Sequence, residues 1–400
     1  MSRKRIYLDY AATTPLDPRV ERAMRPYLSK TFGNPSSIHA EGVAAKKALD
    51  AARTTVARCL EAHAEEVVFT SGGTEANNLA IFGVLGFIRQ GSTLPSKVEP
   101  CPHVVTTNIE HSSVLEPLRQ LEKEGKAEVT YVPVEPNGIV KPEKVIAAIK
   151  PNTVLVSVMY ANNEIGTIQP IRKIGQLIRT VKDKRLKIKD SPFPIFHVDA
   201  CQAPLYLRCL VNALGVDLLS LDAHKIYGPK GVGVLYVRRN TPLVPQLLGG
   251  GQEKGLRSTT ENIPAIVGFA EALRIASADR EKESIRIQKL RDTLHSNILK
   301  NVGMTKVVVN GDMKERLPNN LNISLPGVDT EFLTLKLDAE GIAVSTKSSC
   351  LKDEKESYVI AALGGGRERA LSSLRFTLGH DTTKKGCLYV VQVLKKIFKK

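Results

Sequence analysis

Tryptophan is absent from the sequence and aromatic residues make up only 5% of it, so the core must consist mainly of aliphatic side chains. Hydrophobic residues reach 42% and charged residues 24%, which excludes disordered, collagen-like and low-complexity proteins. None of the 6 cysteines belongs to a C-x-x-C pair, so neither a zinc site nor a disulfide framework is indicated. A reducing cytoplasm is therefore the expected setting.

The sequence also shows no apolar stretch typical of a secretion signal or a membrane span. The N-terminal residues MSRKRIYLDY pass from a basic start into a strand-like segment without the apolar stretch of a signal peptide. The longest apolar-rich stretch, residues 79–88, is too short to span a bilayer. Lys and Arg number 57 against 41 Asp and Glu, a formal charge of +16. This charge would attract nucleic acids or acidic proteins, and it is equally consistent with a diffusely basic surface that has no dedicated partner.

Helical and strand-like patterns alternate between residues 36 and 240. Apolar residues recur at helical spacing over residues 43–60. Short apolar runs typical of buried strands occupy residues 67–70, 103–107, 129–134, 153–160, 195–200 and 217–221. This alternation predicts an α/β domain built on a mainly parallel sheet. Residues 231–238 predict a further strand, antiparallel and at the sheet edge.

After about residue 262 the pattern changes. Residues 270–300 predict a long charged helix, and a basic helix ending in KKIFKK closes the chain. Short strand-like runs lie between these helices at residues 306–310, 321–325 and 374–377. We therefore expect a second, smaller α+β domain. Residues 90–102 and 182–194, with their prolines and glycine or basic residues, are expected to form solvated loops.

Polar residues follow the apolar runs where each predicted strand ends. Ligands bind outside the carboxyl ends of the strands in such sheets, so these residues are the first candidates for a site. They are Gly73, Thr74, His111, Asn162, Asn163, Asp199, Gln202, His224 and Lys225. The set combines an amine, a carboxylate, a histidine and a glycine-rich turn before a helix.

These groups match the requirements of pyridoxal phosphate, which needs a lysine for a Schiff base, a carboxylate at its pyridine nitrogen and donors for its phosphate. Lys225 lies in the constricted turn DAHKIYGPKG, and Asp199 ends an apolar run. Residues 71–75, SGGTE, offer backbone N–H groups at a helix start. Taken singly, each has a structural alternative, because Lys225 also fits a surface turn and Asp199 a helix cap or a metal ligand.

Further strand-end residues suit the ring of the same cofactor. His111 is placed to stack on the ring and move protons, and Asn163 and Gln202 to bind its hydroxyl, although each alone also fits a structural contact. Cys350 lies in the hydrophilic segment STKSSCLKDEKES, which lacks a core pattern, so we expect an exposed thiol. The neighbouring lysines of that segment favour the thiolate.

An ordered series of segments resembles the cysteine desulfurases, which belong to the class V aminotransferase group of fold-type I pyridoxal-phosphate enzymes. The segments, together with that of His111, are YLDYAATTP (7–15), FGNPSS (32–37), FTSGGTEANNLA (69–80), NNEIG (162–166), HVDACQ (197–202), HKIYGPKGVG (224–233), GGGQEKGLRSTTEN (249–262) and SLRFTLG (373–379). Single segments are moderately specific, but their order is highly specific and covers nearly the whole chain. The chain most resembles the iron–sulfur-assembly type, whose catalytic cysteine lies on a longer, mobile loop.

This resemblance implies a mainly parallel seven-stranded sheet flanked by helices, with a smaller α+β domain. The large pyridoxal-phosphate-binding domain is expected at residues 15–262. The small domain is expected to combine residues 1–14 with residues 263–400 and to carry the catalytic-cysteine loop at about residues 345–357.

The resemblance also implies a role for each matching position. Lys225 matches the Schiff-base lysine, Asp199 the partner of the pyridine nitrogen and His111 the ring-stacking acid or base. The ring hydroxyl is assigned to Asn163 and Gln202. The phosphate is assigned to Gly73, Thr74, His224 and, from a second subunit, Thr260, which implies a homodimer. The substrate carboxylate is assigned to Asn34 and Arg375, and the sulfur to Cys350.

The implied reaction converts L-cysteine to L-alanine. Lys225 removes the Cα proton and the thiolate of Cys350 attacks the substrate sulfur, giving a persulfide. The expected sulfur acceptor is an iron–sulfur scaffold or a tRNA-thiolating enzyme, and both stay open. No metal, no membrane contact and no direct nucleic-acid binding are expected.

Two positions depart from the family pattern. Asp222 stands where the family usually has a phosphate-binding serine, and a carboxylate there repels a phosphate dianion unless it points away. The sequence around the cysteine is altered to KSSCLKDEKES, which affects the reach of the loop and the choice of acceptor. Two alternatives follow: a related aminotransferase or selenocysteine lyase without persulfide chemistry, or a non-enzymatic basic RNA-binding protein on the same fold.

Overall fold

The fold is known from a computed structural model that describes residues 5–89, 101–189, 193–303, 307–346 and 356–398. Cys350 and most of the expected catalytic-cysteine loop lie outside these residues. So does most of the expected solvated loop at residues 90–102.

Strands form near each of the apolar runs. They are β1 (Ile6–Tyr7), β2 (Val67–Thr70), β3 (His103–Thr107), β4 (Glu128–Val132), β5 (Thr153–Ser157), β6 (Ile195–Asp199), β7 (Leu218–Asp222), β8 (Gly233–Val237), β9 (Val308–Val309), β10 (Asn320–Ser324), β11 (Ile342–Ala343) and β12 (Ser373–Thr377). The helices are α1 (Pro18–Ser29), α2 (Ala40–Leu60), α3 (Gly73–Arg89), α4 (Ser112–Lys123), α5 (Pro142–Ala147), α6 (Ile171–Lys189), α7 (Val211–Leu214), α8 (Ile263–Val302), α9 (Thr330–Ala339), α10 (Tyr358–Ala362), α11 (Arg367–Leu371) and α12 (Lys384–Phe398).

A seven-stranded sheet forms the centre of the molecule, in the order β2-β8-β7-β6-β5-β3-β4. Among the strands of the described residues, only β8 runs antiparallel to its neighbours in this sheet, so the prediction of a mainly parallel seven-stranded α/β fold is confirmed. Because β2 is antiparallel to β8, it points the same way as the other strands, and its carboxyl end lies at the same sheet edge as theirs.

Two local predictions are wrong. The strand expected at the sheet edge is β8, which lies between β2 and β7 and pairs with both of them. Its residues Gly233–Val237 are mostly buried, as an interior strand requires. Residues 182–194 were expected to form a loop, but α6 continues to Lys189, because no glycine or proline interrupts residues 182–189 and Lys, Arg and Leu favour helix.

Helices cover both faces of the central sheet. Successive residues of one strand point to opposite faces, so Val104 packs with α3 and α4 whereas Val105 packs with α2, α6 and the first half of α8. None of the helices among the described residues combines the length and the apolar character needed to cross a bilayer.

A second hydrophobic cluster surrounds the antiparallel sheet of β12, β10 and β9. Helix α8 joins the two cores, since Ile275 belongs to the first cluster and Ile287 to the second. Strand β1 pairs with β11, which brings the N-terminal segment to this side of the molecule. The exact domain limits, 15–262 against 1–14 plus 263–400, stay a prediction.

Candidate active site

Five parallel strands, β2, β3, β5, β6 and β7, end at one edge of the central sheet, and the segments after them line a pocket of about 170 Å³. Nine of the residues proposed from the sequence share this pocket. They are Gly73, Thr74, His111, Asn163, Asp199, Gln202, His224, Lys225 and Arg375. The common direction of the strands explains why residues so distant in sequence meet.

Lys225 lies in the short 3₁₀ turn Ala223–Lys225 that follows β7. Its Nζ donates to the carbonyl oxygens of Ala11 and Ala12, at 2.7 and 2.8 Å. These carbonyls belong to the segment after β1, and they hold the amine at the pocket wall.

Asp199 is a buried carboxylate at the end of β6. Its Oδ2 accepts from Nδ2 of Asn77 at 2.8 Å, and its Oδ1 accepts from the backbone N–H of Cys201 at 3.0 Å. A buried charge is costly unless it is hydrogen-bonded, so these donors keep the carboxylate in place. Asn77 is 1% exposed and lies on α3, one helical turn after Gly73.

His111 caps the N-terminus of α4 and is connected to the same carboxylate. Its Nδ1 accepts from the backbone N–H of Ser113 at 3.2 Å and lies 2.8 Å from the Ser113 hydroxyl. That hydroxyl accepts from Asn77, which also donates to Asp199. Because Nδ1 is an acceptor, a neutral His111 carries its proton on Nε2.

The N-terminal segment also holds the next two site residues. Nε2 of Gln202 donates to the carbonyl of Ala11 at 3.1 Å. Nδ1 of His224 lies 3.1 Å from the hydroxyl of Thr13. The pocket therefore combines the strand ends of the central sheet with the N-terminal segment, since residues 11–13 follow β1, which pairs with β11.

Arg375 extends from β12 into the pocket and is 1% exposed. Nη2 donates to Oδ1 of Asp9 at 2.7 Å, and Nη1 donates to the carbonyl of Asn163 at 2.9 Å. Its Nε has no hydrogen-bond partner among the described residues. A buried N–H group of a cation that lacks an acceptor is a natural contact for an anionic ligand.

Asp222 faces the start of α3. Its Oδ2 accepts from the backbone N–H of Gly73 at 2.7 Å, and its Oδ1 accepts from the backbone N–H of His224 at 3.2 Å. Burial acts to raise the pKa of Asp222, but its contacts with His224 and Gly73 outweigh burial and hold the pKa below the ordinary value. The carboxylate therefore points toward the glycine turn rather than away from it.

Two further groups near the pocket, the buried Glu110 and the half-buried Cys201, are held in their neutral forms. Burial raises the pKa of Glu110, next to His111, to about 8, so this carboxyl is protonated at neutral pH. Burial, with smaller contributions from Asp199 and Asp222, raises the pKa of the Cys201 thiol well above its ordinary value. Cys201 is consequently a poor nucleophile despite its position in the pocket.

The remaining predicted site residues lie elsewhere. Asn34 is exposed, and its Oδ1 accepts from the backbone N–H of Ser36 at 2.9 Å. Thr260 is exposed and does not line the pocket of its own chain. Cys350 lies outside the described residues. The pocket of a single chain thus contains the predicted ring-binding residues but neither of the two exposed ones.

Four residues that hold the site together were not predicted from the sequence: Asn77, Ser113, Ala11 and Asp9. Asn77 had a usable signal, because it lies four residues after Gly73 and must share its helix face. Ala11 acts through its backbone carbonyl and Asp9 through a pairing distant in sequence, so neither had a local signal.

Comparisons with known proteins agree with this arrangement. The sequence model of the aminotransferase class-V family matches residues 6–390. Cysteine desulfurase IscS of Dictyoglomus turgidum is 43% identical over 399 residues, covering 100% of this chain and 95% of the relative. Cysteine desulfurase IscS of Methylobacillus flagellatus is 45% identical over 394 residues, covering 98% of this chain and 91% of the relative.

Solved structures give the same result. A NifS-like protein superposes with a TM-score of 0.87 and 34% identity, covering 99% of both chains. SspA in complex with cysteine superposes with a TM-score of 0.77 and 34% identity, covering 93% of this chain and 98% of the other. The resemblance inferred from the sequence is therefore confirmed, and this chain belongs to the aminotransferase class-V family and, within it, to the cysteine desulfurases.

Proposed function

We propose that this chain is a pyridoxal-phosphate-dependent enzyme that converts L-cysteine to L-alanine and transfers the sulfur to Cys350. The single observation that carries the proposal is the meeting of Lys225, Asp199 and Arg375 in one pocket. The relatives at 43% and 45% identity are cysteine desulfurases, so they support the same reaction and do not favour an aminotransferase, a selenocysteine lyase or an RNA-binding protein.

The residues present fit the cofactor that the family uses. A Cβ atom on Gly73 would lie 2.5 Å from Sγ of Cys201, so only glycine leaves room at this turn. When bound, pyridoxal phosphate supplies an aldehyde for the substrate amine and a ring that takes up electrons from Cα. Asp199, oriented by Asn77, would hold the proton on the pyridine nitrogen. Asn163 and Gln202 would bind the ring hydroxyl, and Thr74 and His224 the phosphate, as in the family.

Lys225 is proposed as both the attachment point and the base. Its amine is held by the carbonyls of Ala11 and Ala12, which accept hydrogen bonds without neutralising its charge. Once the substrate replaces it, the free amine takes the proton from Cα of the substrate and returns it during alanine formation. His111, with its proton on Nε2, is placed to exchange a proton with the substrate thiol.

Arg375 is proposed to bind the substrate carboxylate through Nε. Its other two nitrogens are already held by Asp9 and Asn163, so the guanidinium cannot rotate away. Asn34, exposed in one chain, is proposed as a second contact to the same carboxylate.

Cys350 is the proposed sulfur acceptor. Its thiolate attacks the sulfur of L-cysteine, so a sulfur–sulfur bond forms and the carbon–sulfur bond breaks. The electron pair stays on the substrate carbon, which then takes up a proton. The products are L-alanine and a Cys350 persulfide, and no external oxidant or reductant is needed. The persulfide sulfur would then pass to an acceptor protein, for which an iron–sulfur scaffold and a tRNA-thiolating enzyme remain the two candidates.

A homodimer in the cytoplasm is also proposed. The exposed side chain of Thr260 supports the dimer, because the family uses this residue to contact the phosphate bound by the other subunit. The location and the acceptor stay predictions.

The test is mass spectrometry of the protein after treatment with pyridoxal phosphate and L-cysteine. We expect one extra sulfur on the peptide that contains Cys350, and release of alanine. Cys101 is a matched control because it is an exposed cysteine that precedes the amino end of β3, whereas the pocket lies at the carboxyl ends of the strands. Cys350→Ala should abolish both signals, whereas Cys101→Ala should leave them unchanged. Alanine formation at the same rate in Cys350→Ala would contradict the proposal.

A further inference from the structure

The N-terminus of α3 already binds an anion that belongs to its own chain. Gly73, the first residue of the helix, donates its backbone N–H to Oδ2 of Asp222 at 2.7 Å. Free N–H groups and the helix dipole favour negative charge at this position. Asp222 is 8% exposed, so its carboxylate depends on these donors in place of water.

Asp222 is held from a second side as well. The backbone N–H of His224 donates to Oδ1 at 3.2 Å, and Nε2 of the same histidine lies 3.5 Å from Oδ2. These contacts outweigh burial and keep the pKa of Asp222 below its ordinary value, so the group carries a full negative charge at neutral pH.

The donors that hold Asp222 are those expected to bind the phosphate of the cofactor. Gly73, Thr74 and His224 line the pocket together with Asp222. A Cβ atom on Gly72 or on Gly73 would lie 3.2 Å from Oδ2 of Asp222, so the carboxylate fits closely against the turn. A phosphate placed on the Gly73 N–H must therefore displace this oxygen or share the donor with it.

We propose that Asp222 competes with the cofactor phosphate for the N-terminus of α3 and so sets the affinity of this chain for pyridoxal phosphate. The inference rests on the proposed function, since it concerns the cofactor of that reaction. Asp222 accepts a charge-assisted hydrogen bond that the phosphate dianion would otherwise accept. Its negative charge also repels the phosphate at close range. Asp222 is thus a residue that determines cofactor affinity, and it takes no part in the chemistry at Cα.

The effect of Asp222 on the affinity for pyridoxal phosphate has an expected size. A hydrogen bond to a charged group corresponds to about a 10- to 100-fold change in an equilibrium constant. Asp222→Ser removes the carboxylate, and Asp222→Asn keeps the shape and an acceptor oxygen while removing the charge. Both variants should bind pyridoxal phosphate about 10- to 100-fold more tightly than the natural chain.

Pyridoxal provides a matched ligand, because it has the same ring and aldehyde but a hydroxyl in place of the phosphate. Affinities of the natural chain and both variants for the two ligands can be measured by equilibrium dialysis and by the visible absorbance of the lysine adduct. We expect the pyridoxal affinity to change by less than about threefold in either variant, so that the ratio of the two affinities isolates the phosphate.

Three results decide the matter. Tighter binding of pyridoxal phosphate alone, in both variants, supports the competition. Unchanged or weaker binding of pyridoxal phosphate in the variants overturns it and leaves the proposed function intact. Failure of all three proteins to bind either ligand overturns the inference and the proposed cofactor together.

Discussion

Asn77 offers the sharpest test of how the candidate site is held together. Its Nδ2 donates to Oδ2 of Asp199 and to the hydroxyl of Ser113, both at 2.8 Å. Asn77→Ala removes both hydrogen bonds. The buried carboxylate of Asp199 then keeps the backbone N–H of Cys201 and loses its donor from α3.

The expected loss follows from the charge of the acceptor. A hydrogen bond to a charged group contributes about 1.5–3 kcal/mol, and one between neutral groups about 0.5–1.5 kcal/mol. Asn78 is a matched control on the same helix, because its Nδ2 donates to two neutral groups, the backbone carbonyls of Thr74 and Ser113. We therefore expect Asn77→Ala to lower the free energy of unfolding by about 2–3 kcal/mol and Asn78→Ala by about 1 kcal/mol or less.

The assay is urea unfolding of the cofactor-free protein, followed by circular dichroism, for the natural chain and both variants. The difference between the two variants, at a common dependence on urea, measures the charged hydrogen bond. Equal losses in Asn77→Ala and Asn78→Ala would refute the reasoning, because Asp199 would then be stabilised without its donor from α3.

The remaining predictions concern three other groups. Lys225→Ala should abolish borohydride labelling of the protein by pyridoxal phosphate, measured by peptide mass spectrometry, whereas the exposed Lys230 can be replaced without loss of the label. The folded-state pKa of Glu110, about 8, lies above its unfolded value. Burial of Glu110 therefore lowers the free energy of unfolding by an amount that grows as the pH rises from about 5 to 8. Glu110→Gln should therefore gain about 3 kcal/mol relative to the natural chain when urea unfolding is compared at about pH 7.5 and pH 5, and a constant difference would contradict the burial argument. Glu253 is 5% exposed and binds Arg53 through two hydrogen bonds, of 2.6 and 2.8 Å. Glu253→Ala should cost about 3–5 kcal/mol in the same assay, and a loss below about 1 kcal/mol would show that the buried pair does not stabilise the fold.

Much of the fold was predictable because its signals are local. The short apolar runs and the helical spacing of residues 43–60 correspond to β2–β7 and α2, since each pattern reflects burial within a few residues. The position of β8 was not predictable in the same way. An antiparallel strand inserted between β2 and β7 has the same apolar pattern as one at the edge, and only its pairing partners distinguish the two.

The candidate site likewise contains residues with a local sequence signal and residues without one. Lys225, Asp199 and His111 were identified because each follows a predicted strand, and parallel strands end at one edge. Ala11 holds Lys225 through a carbonyl, a group that every residue possesses, so its side chain gives no signal. Asp9 holds Arg375 across 366 residues of sequence, a pairing that no local pattern contains.

Asp222 shows most clearly what can and cannot be predicted from the sequence. The sequence by itself determined the fold class, the strand-end residues and the presence of a carboxylate where the family has a serine. Only the tertiary structure decided which way that carboxylate points, because its direction depends on the Gly73 N–H at the start of α3, 149 residues earlier in the chain. The physical reason is that periodicity and composition record burial along one element, whereas hydrogen bonds between elements exist only after the sheet has brought their ends together.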